Sequence, residues 1–369
     1  MKNIEIWYHD PAEADPDHSW IGLSKILKEC HQDSFDRCPY SRVLALAEYA
    51  QPDIVLSCEG IPFLSAELTR MNPSGHNLPQ RFSCLVRAAE LGVPSIFYYP
   101  EYSRRSNSDP NPRYLNIRVP LAQLRLSDIY NVPSLSFFWP TNPKSLQPEL
   151  GLEAHIQLAK FVESVVVEGK SGNIISKNGT LVKEQARRMQ DVTKKYATDA
   201  AYPPNISFRK HFPDGDHFSL QLLGRAVDPP NSCELVATQS LLQDLFKEVK
   251  KKVPQNRKTN LLLSRTVSLV YNGTPNKSKD GPEHPYPGYL TLLDILYSRR
   301  EGGQTPRDRQ MNLVFRLPIN LEKFREKALD RPTGLNILME FADMIILKNG
   351  VVLGGFIRNL SSGAVLIHE

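Results

Sequence analysis

The segment between Pro39 and Pro100 constrains the fold of this chain most, because the period of its apolar residues switches back and forth within it. After Pro39, Val43, Leu44, Leu46 and Ala47 recur at helical spacing and lead to Glu48, and Gln51-Pro52 then stops the helix. Two extended runs follow, Asp53 to Ser57 and Ile61 to Thr69, joined by Cys58-Glu59-Gly60. This pattern predicts a β-hairpin. Beyond the polar stretch Asn72 to Asn77, a helix is expected from about Pro79 to Leu91, with proline in its first turn and Gly92 past its end. The run Pro94 to Tyr99 then reads as a buried strand. The order helix, strand, turn, strand, helix, strand predicts an α/β unit around a mixed sheet.

The rest of the chain extends this picture. Ile4 to Tyr8 is a first strand, and Ile21, Leu23, Ile26 and Leu27 fit a helix. Arg104 to Arg113 reads as a polar, basic loop, Ser134 to Trp139 as an apolar run, and Pro140 to Pro148 as a linker. Two regions are therefore expected, 1–145 and 146–369. Within the second, helices are expected near Leu152 to Val166 and Lys183 to Tyr196, and Tyr271 to Pro287 reads as an exposed loop. Asn178-Gly179 and Asn349-Gly350 stand between extended runs and predict hairpin turns. This second region is expected to be α+β and to serve nucleic-acid recognition or dimerisation.

Charge and composition narrow the function. The net charge is +5, and the basic excess lies wholly beyond Ser145, since the residues before it are slightly acidic. An acidic region joined to a basic one suits a protein that holds a polyanion, although a solvated basic face accounts for the asymmetry equally well. Apolar runs are interrupted long before the ~20 residues that a membrane helix requires. Met1 to Ile6 reads as a strand rather than a signal peptide, so a cytoplasmic protein is expected. The five cysteines include no C-x-x-C pair and are expected to be reduced thiols. A phosphate-cradling G-x-x-x-x-G-K-[ST] loop is absent, which argues against a nucleotide-driven motor.

The chemistry concentrates in the hairpin. Asp53 opens one strand and Glu67 closes the next, so folding near Glu59-Gly60 returns the second carboxylate beside the first. Two like charges in a partly buried site raise each other's pKa unless a cation is supplied. Mg²⁺ suits such a pair, because it takes oxygen ligands and is often held by one or two carboxylates plus substrate phosphate. Hydrolysis of a phosphodiester by water activated at the metal is the expected reaction.

Pro52-Asp53 followed, after a hairpin, by Glu67-Leu68-Thr69 and then a helix resembles the PD-(D/E)XK nucleases, a fold of many restriction endonucleases. The resemblance covers roughly residues 1–140. It implies a Mg²⁺ site, with Mn²⁺ as a possible substitute, formed by Asp53, Glu67 and the main-chain carbonyl of Leu68. It further implies endonucleolytic cleavage, with double-stranded DNA as the expected substrate and a homodimer as the expected assembly. Thr69 departs from the pattern, standing where these enzymes usually have lysine; a hydroxyl can orient water or phosphate but supplies no positive charge. Arg70, His76, Gln80 and Arg81 are the candidates to replace it, with Gln80 and Thr69 as catalytic positions. Glu48 is a candidate further carboxylate ligand.

Nucleic-acid contacts are expected from Arg70, His76, Arg81, Arg104 and Arg105, with Arg113, Tyr102 and Tyr114 nearby, and from the basic run Lys250, Lys251 and Lys252. His211, Asp214, Asp216, His217 and His284 carry metal-ligand chemistry but read better as loop residues, and Asp343 reads as structural. Two alternatives to a DNA endonuclease stay open. One is a non-catalytic nucleic-acid-binding or assembly protein on a degenerate nuclease fold, and the other is a defence-associated RNA or DNA nuclease.

Overall fold

The computed structural model describes residues 3–14, 30–70, 77–104, 112–115, 118–147, 149, 151, 153–197, 221–222, 225–226, 233–248, 267–272, 312–317, 319–320, 322, 342–348 and 350–353. The chain divides into two compact units, 1–203 with 297–303, and 204–296 with 304–369.

The first unit is built on a six-stranded mixed sheet. Its strands are β1 (Ile4–Tyr8), β2 (His31–Ser34), β3 (Ile54–Cys58), β4 (Ile61–Leu68), β5 (Ser95–Pro100) and, after a short ribbon, β8 (Ser134–Trp139), in the spatial order β2-β1-β3-β4-β5-β8. β1, β3 and β4 form an antiparallel meander, whereas β5 and β8 run parallel to β4. The ribbon pairs β6 (Tyr102–Arg104) with β7 (Pro112–Tyr114) antiparallel, so the expected loop from Arg104 to Arg113 has ordered, paired ends.

After the short helices α1 (Pro11–Ala14) and α2 (Ser41–Leu44) come four long ones: α3 (Asn77–Glu90), α4 (Arg118–Tyr130), α5 (Ile156–Lys170) and α6 (Thr180–Ala197). Helix α3 buries Phe82, Leu85, Val86 and Ala89 against the sheet. It ends in a Schellman arrangement: Gly92, at φ +73°, lets its N–H reach Ala89 O, and the Val93 N–H reaches back to Ala88 O. On α5, Leu158, Phe161, Val162, Val165 and Val166 fall on one stripe, which packs on the opposite face of the sheet against Leu56, Leu64, Tyr98 and Phe137. Because α5 and α6 bury apolar residues in the same core as the strands, the division expected after Ser145 falls inside the first unit. The hairpin expected at Asn178-Gly179 is also absent: Gly179 N–H closes a turn onto Ser176 O, and its own carbonyl accepts from Lys183 as α6 begins.

One irregularity sets the register of the hairpin. Glu59 and Gly60 both have positive φ, 52° and 75°, so β3 and β4 are joined by a two-residue turn of the kind that matches strand twist. Next to the turn Cys58 faces Ile61 and Ser57 faces Pro62, but beyond it Leu56 faces Leu64, which leaves Phe63 as the extra residue of a bulge. The register then continues with Val55 opposite Ser65 and Ile54 opposite Ala66, and one step more sets Asp53 opposite Glu67. Without the bulge Asp53 would oppose Ala66, and the two carboxylates would point to opposite faces.

The second unit, described by itself, is a five-stranded sheet in the order β11 (Cys233–Ala237), β12 (Val267–Asn272), β13 (Asn312–Arg316), β14 (Met344–Leu347) and β15 (Gly350–Leu353). A two-stranded pair, β9 (Gln221–Leu222) and β10 (Arg225–Ala226), accompanies it. The three central strands are parallel and the outer two antiparallel, and α7 (Thr238–Glu248) covers Val270, Val314 and Met344 with Leu241. Leu347 faces Gly350 across β14 and β15, as the hairpin expected at Asn349-Gly350 requires. Asp343 Oδ2 accepts from Leu313 N–H at 2.8 Å, which bears out a structural role for it. The helix expected at Ile21 to Leu27 lies outside the described residues, as does most of the loop from Tyr271 to Pro287.

The bulge is held by a close approach. A β-carbon on Gly169 of α5 would lie 2.8 Å from the Phe63 ring, so only glycine lets the helix sit on the bulged residue. Gly169→Ala is expected to destabilise the protein by about 1–2 kcal/mol in urea melts, because the overpacking outweighs the gain of up to about 1 kcal/mol in helix propensity. An unchanged midpoint would show that the helix and the bulge do not press on each other.

Candidate metal centre

Asp53 and Glu67 stand side by side at the open end of the hairpin, 7 % and 2 % exposed. Backbone groups hold both acids: Asp53 N–H donates to Glu67 Oε1 at 3.3 Å, and the N–H of Leu68, next to Glu67, donates to Asp53 Oδ2 at 2.7 Å. Burial and the neighbouring charge of Asp53 push the Glu67 carboxyl well above the ordinary carboxylate range, against the opposing pull of Arg81, the Cys84 thiol and the Asp53 N–H. Cys84 lies beneath this pair on α3 and also donates to Ala50 O at 3.3 Å. Burial, then Glu67, raises its thiol pKa well above the usual value, so it is an inert packing group.

The cation the pair requires comes from Arg81, in the first half of α3. Its Nη1 lies 2.7 Å from Asp53 Oδ2, 3.6 Å from Glu67 Oε2 and 2.5 Å from the carbonyl oxygen of Leu68. One guanidinium nitrogen thus meets the same three groups that the sequence resemblance assigns to a divalent metal. The donor set fits such an ion: two carboxylates and one carbonyl are hard oxygen ligands, and they converge on a single point that already holds positive charge. Among the described residues no group of three or more His, Cys, Asp and Glu side chains gathers to hold a metal.

The other expected residues separate. Thr69 follows β4 with its N–H on Tyr98 O, and strand alternation sets its side chain on the Glu67 face. Arg70 turns to the other face, with its Cζ 5.8 Å from the centre of the Trp139 ring, and so does not join the carboxylates. Glu48 pairs with Arg87, which also bonds Glu90. The side chains of Gln80 and Arg104 lie outside the described residues, as do His76, Arg105, Lys250, Lys251, Lys252, His211, Asp214, Asp216, His217 and His284. Of the two candidates whose side chains are described, Arg70 and Arg81, it is Arg81 that the fold brings to the carboxylates. Its signal in the sequence is its place one helical turn before buried Cys84, on the face that α3 turns to the sheet.

The turn end of the hairpin is fixed by a third buried carboxylate. Glu5 accepts from Ser57 Oγ at 2.5 Å, Tyr40 OH at 2.9 Å and Gly60 N–H at 3.1 Å, while Trp7 Nε1 donates to Ser57 Oγ at 2.9 Å. Sequence reasoning missed Glu5 because the residues that satisfy it, Tyr40, Ser57 and Gly60, lie 35, 52 and 55 positions away. Among the described residues no helix is long and apolar enough to cross a membrane. Comparison of the chain with protein-family models, with curated proteins and with solved structures returns no match.

The raised pKa of Glu67 carries a stability consequence. In metal-free buffer the folded state holds this proton more tightly than the unfolded chain does, so the stability is fully present below the ordinary glutamate pKa and is lost as pH rises towards the folded pKa. The loss approaches about 1.4 kcal/mol per pH unit within that window. Denaturant melts across pH should show this slope in the wild type and lose it in Glu67→Gln; equal slopes would mean that Glu67 titrates normally.

Proposed function

We propose that this chain is a Mg²⁺-dependent endonuclease of the PD-(D/E)XK type that hydrolyses phosphodiester bonds, with double-stranded DNA as substrate. The observation that carries the reading is the convergence of Asp53, Glu67 and the Leu68 carbonyl on one cationic group. The hairpin, the helix after it and the parallel strand β5 supply the frame that the resemblance requires.

Asp53, Glu67 and the Leu68 carbonyl would hold a divalent cation, which would supply an activated water and draw charge from the phosphoryl oxygens. Arg81 contacts the same three oxygens, and a guanidinium at that place can pair with a phosphate oxygen, the role that Thr69 cannot fill. The Thr69 hydroxyl, on the same face as Glu67, accepts from or donates to the attacking water and orients it. A dimer of such chains cuts both strands, and the basic second region holds the backbone.

A second reading has an observation of its own in its favour. Arg81 already neutralises the carboxylate pair, as it would in a nucleic-acid-binding protein that has kept the fold and given up the metal.

Cleavage of plasmid and duplex oligonucleotides in Mg²⁺ or Mn²⁺ separates the two. Asp53→Asn should abolish cleavage while leaving the fold intact. Arg81→Met should lower the single-turnover rate about 10²–10³-fold, as loss of one preorganised charge contact does, and Thr69→Val should lower it less. A wild-type protein that binds DNA but cuts with neither metal supports the second reading, and an Asp53→Asn enzyme cutting at the wild-type rate removes the site from this hairpin.

A further inference from the structure

A second site lies at the same edge of the sheet. Register aligns Glu67 with Phe97 and Leu68 with Tyr98, so Tyr98 projects from the face opposite the carboxylates. On that face, at the carboxyl ends of β5 and β8, Tyr98, Phe137, Trp139 and His155 line a cavity of about 700 Å³. That volume lies within the range of small-molecule sites, and the ends of parallel strands are where open α/β sheets bind ligands.

The cavity wall is ordered and aromatic. Tyr98 and Trp139 stack with ring centroids 4.7 Å apart and 14° between planes, and His155 stands edge-on to both. His155 is 2 % exposed and stands at the N-cap position of α5, where its side chain makes no capping bond. Its Nδ1 is hydrogen-bonded to the Tyr98 hydroxyl, whereas its Nε2 is buried with no hydrogen-bond partner. Burial lowers its pKa to about 4, so at neutral pH the ring is uncharged and presents one N–H and one lone pair. A buried polar atom without a partner is rare in folded proteins and calls for an explanation, and a ligand is one.

The rest of the lining includes charged side chains. Arg188 and Lys195 of α6 contribute cations, and Glu101, Glu153 and Asp191 contribute acids. Lys195 is bound to Glu101 at 2.9 Å, and Arg188 bonds the Gln157 side chain. An aromatic wall with a neutral hydrogen-bonding ring at its base favours a flat, uncharged heterocycle over an ion.

We propose that this cavity binds a nucleoside moiety, with the base against the aromatic wall, one of its edge atoms bonded to His155, and any 5′-phosphate towards Arg188. The choice of a nucleoside among flat heterocycles rests on the nuclease reading; the existence of the site does not. The moiety comes either from a free mononucleotide or from a base unstacked from a bound strand, and the test has one arm for each.

The full-length protein in EDTA, which removes any metal from the carboxylate site, is titrated calorimetrically with the ribo- and deoxyribonucleoside 5′-monophosphates and with the parent nucleosides. In parallel, a single-stranded oligonucleotide containing 2-aminopurine is followed for the fluorescence gain that unstacking produces. Saturable mononucleotide binding identifies a free ligand; a fluorescence gain without it identifies a base of the strand. In either case His155→Leu should weaken the effect at least tenfold. Arg188→Gln, an exposed position that leaves folding intact, should weaken monophosphates severalfold and parent nucleosides not at all. Absence of both signals overturns the proposal, and so does a signal that neither substitution changes. Should His155→Leu fail to fold, the contrast between monophosphates and nucleosides in Arg188→Gln decides alone. Binding by a protein that never cleaves DNA refutes the nuclease reading and keeps this site, whereas cleavage without binding does the reverse.

Discussion

Two carboxylates on one face of a hairpin, with a single positive group between them, are the constraint around which the first unit is arranged. Like charges in a buried setting repel strongly, and the fold eases this by bringing Arg81 to both along with the Leu68 carbonyl and by holding the Glu67 pKa well above its ordinary value. The pairing depends on a one-residue bulge: Phe63 shifts the register between Leu56 and Ser57, and that shift sets Glu67 opposite Asp53 instead of beyond it. A straight ladder with the same residues would have put one acid in the core on each side of the sheet.

Each part of the hairpin is held by a different segment of the chain. At the turn, Glu5 of β1 takes the Gly60 N–H, and the Tyr40 ring packs so closely on Gly60 that a β-carbon there would lie 2.4 Å from it. At the bulge, Phe63 lies under Gly169 of α5. At the open end, α3 delivers Arg81, and its own position is set by the buried stripe from Phe82 to Ala89 and by the Gly92 cap. A site held on strands and a packed helix keeps its geometry better than one carried on loops.

The same sheet edge serves two kinds of chemistry because strand alternation sends neighbouring residues to opposite faces. Glu67 faces α3 and the cation, while Leu68 and its register partner Tyr98 face α5 and the aromatic cavity. Beneath β5 and β8 a chain of buried polar groups links the sheet to the helices: Ser95 with Ser134, Ser136 with Tyr99 and with Gln123, and Gln185 with the Ser136 carbonyl. Such a network is satisfied in one arrangement only, which fixes the position of these strands and of the edge they share.

By itself, the sequence determined the elements and the pair of acids. Helical and extended periods mark β1, the hairpin, α3, β5 and β8, since apolar spacing is a local property and is written directly in the order of residues. Asp53 and Glu67 were legible for the same reason, each standing at the end of a strand joined by a short turn. Only the tertiary structure decided which cation serves them. Arg70 and Arg81 lie close together in the sequence, and the choice of Arg81 over Arg70 follows from where α3 packs on the sheet. The tertiary structure also decided that α5 and α6 belong to the first unit, that Asn178-Gly179 starts a helix, and that His155 meets Tyr98 across 57 residues. These outcomes rest on contacts between distant segments, whose partners no local pattern names.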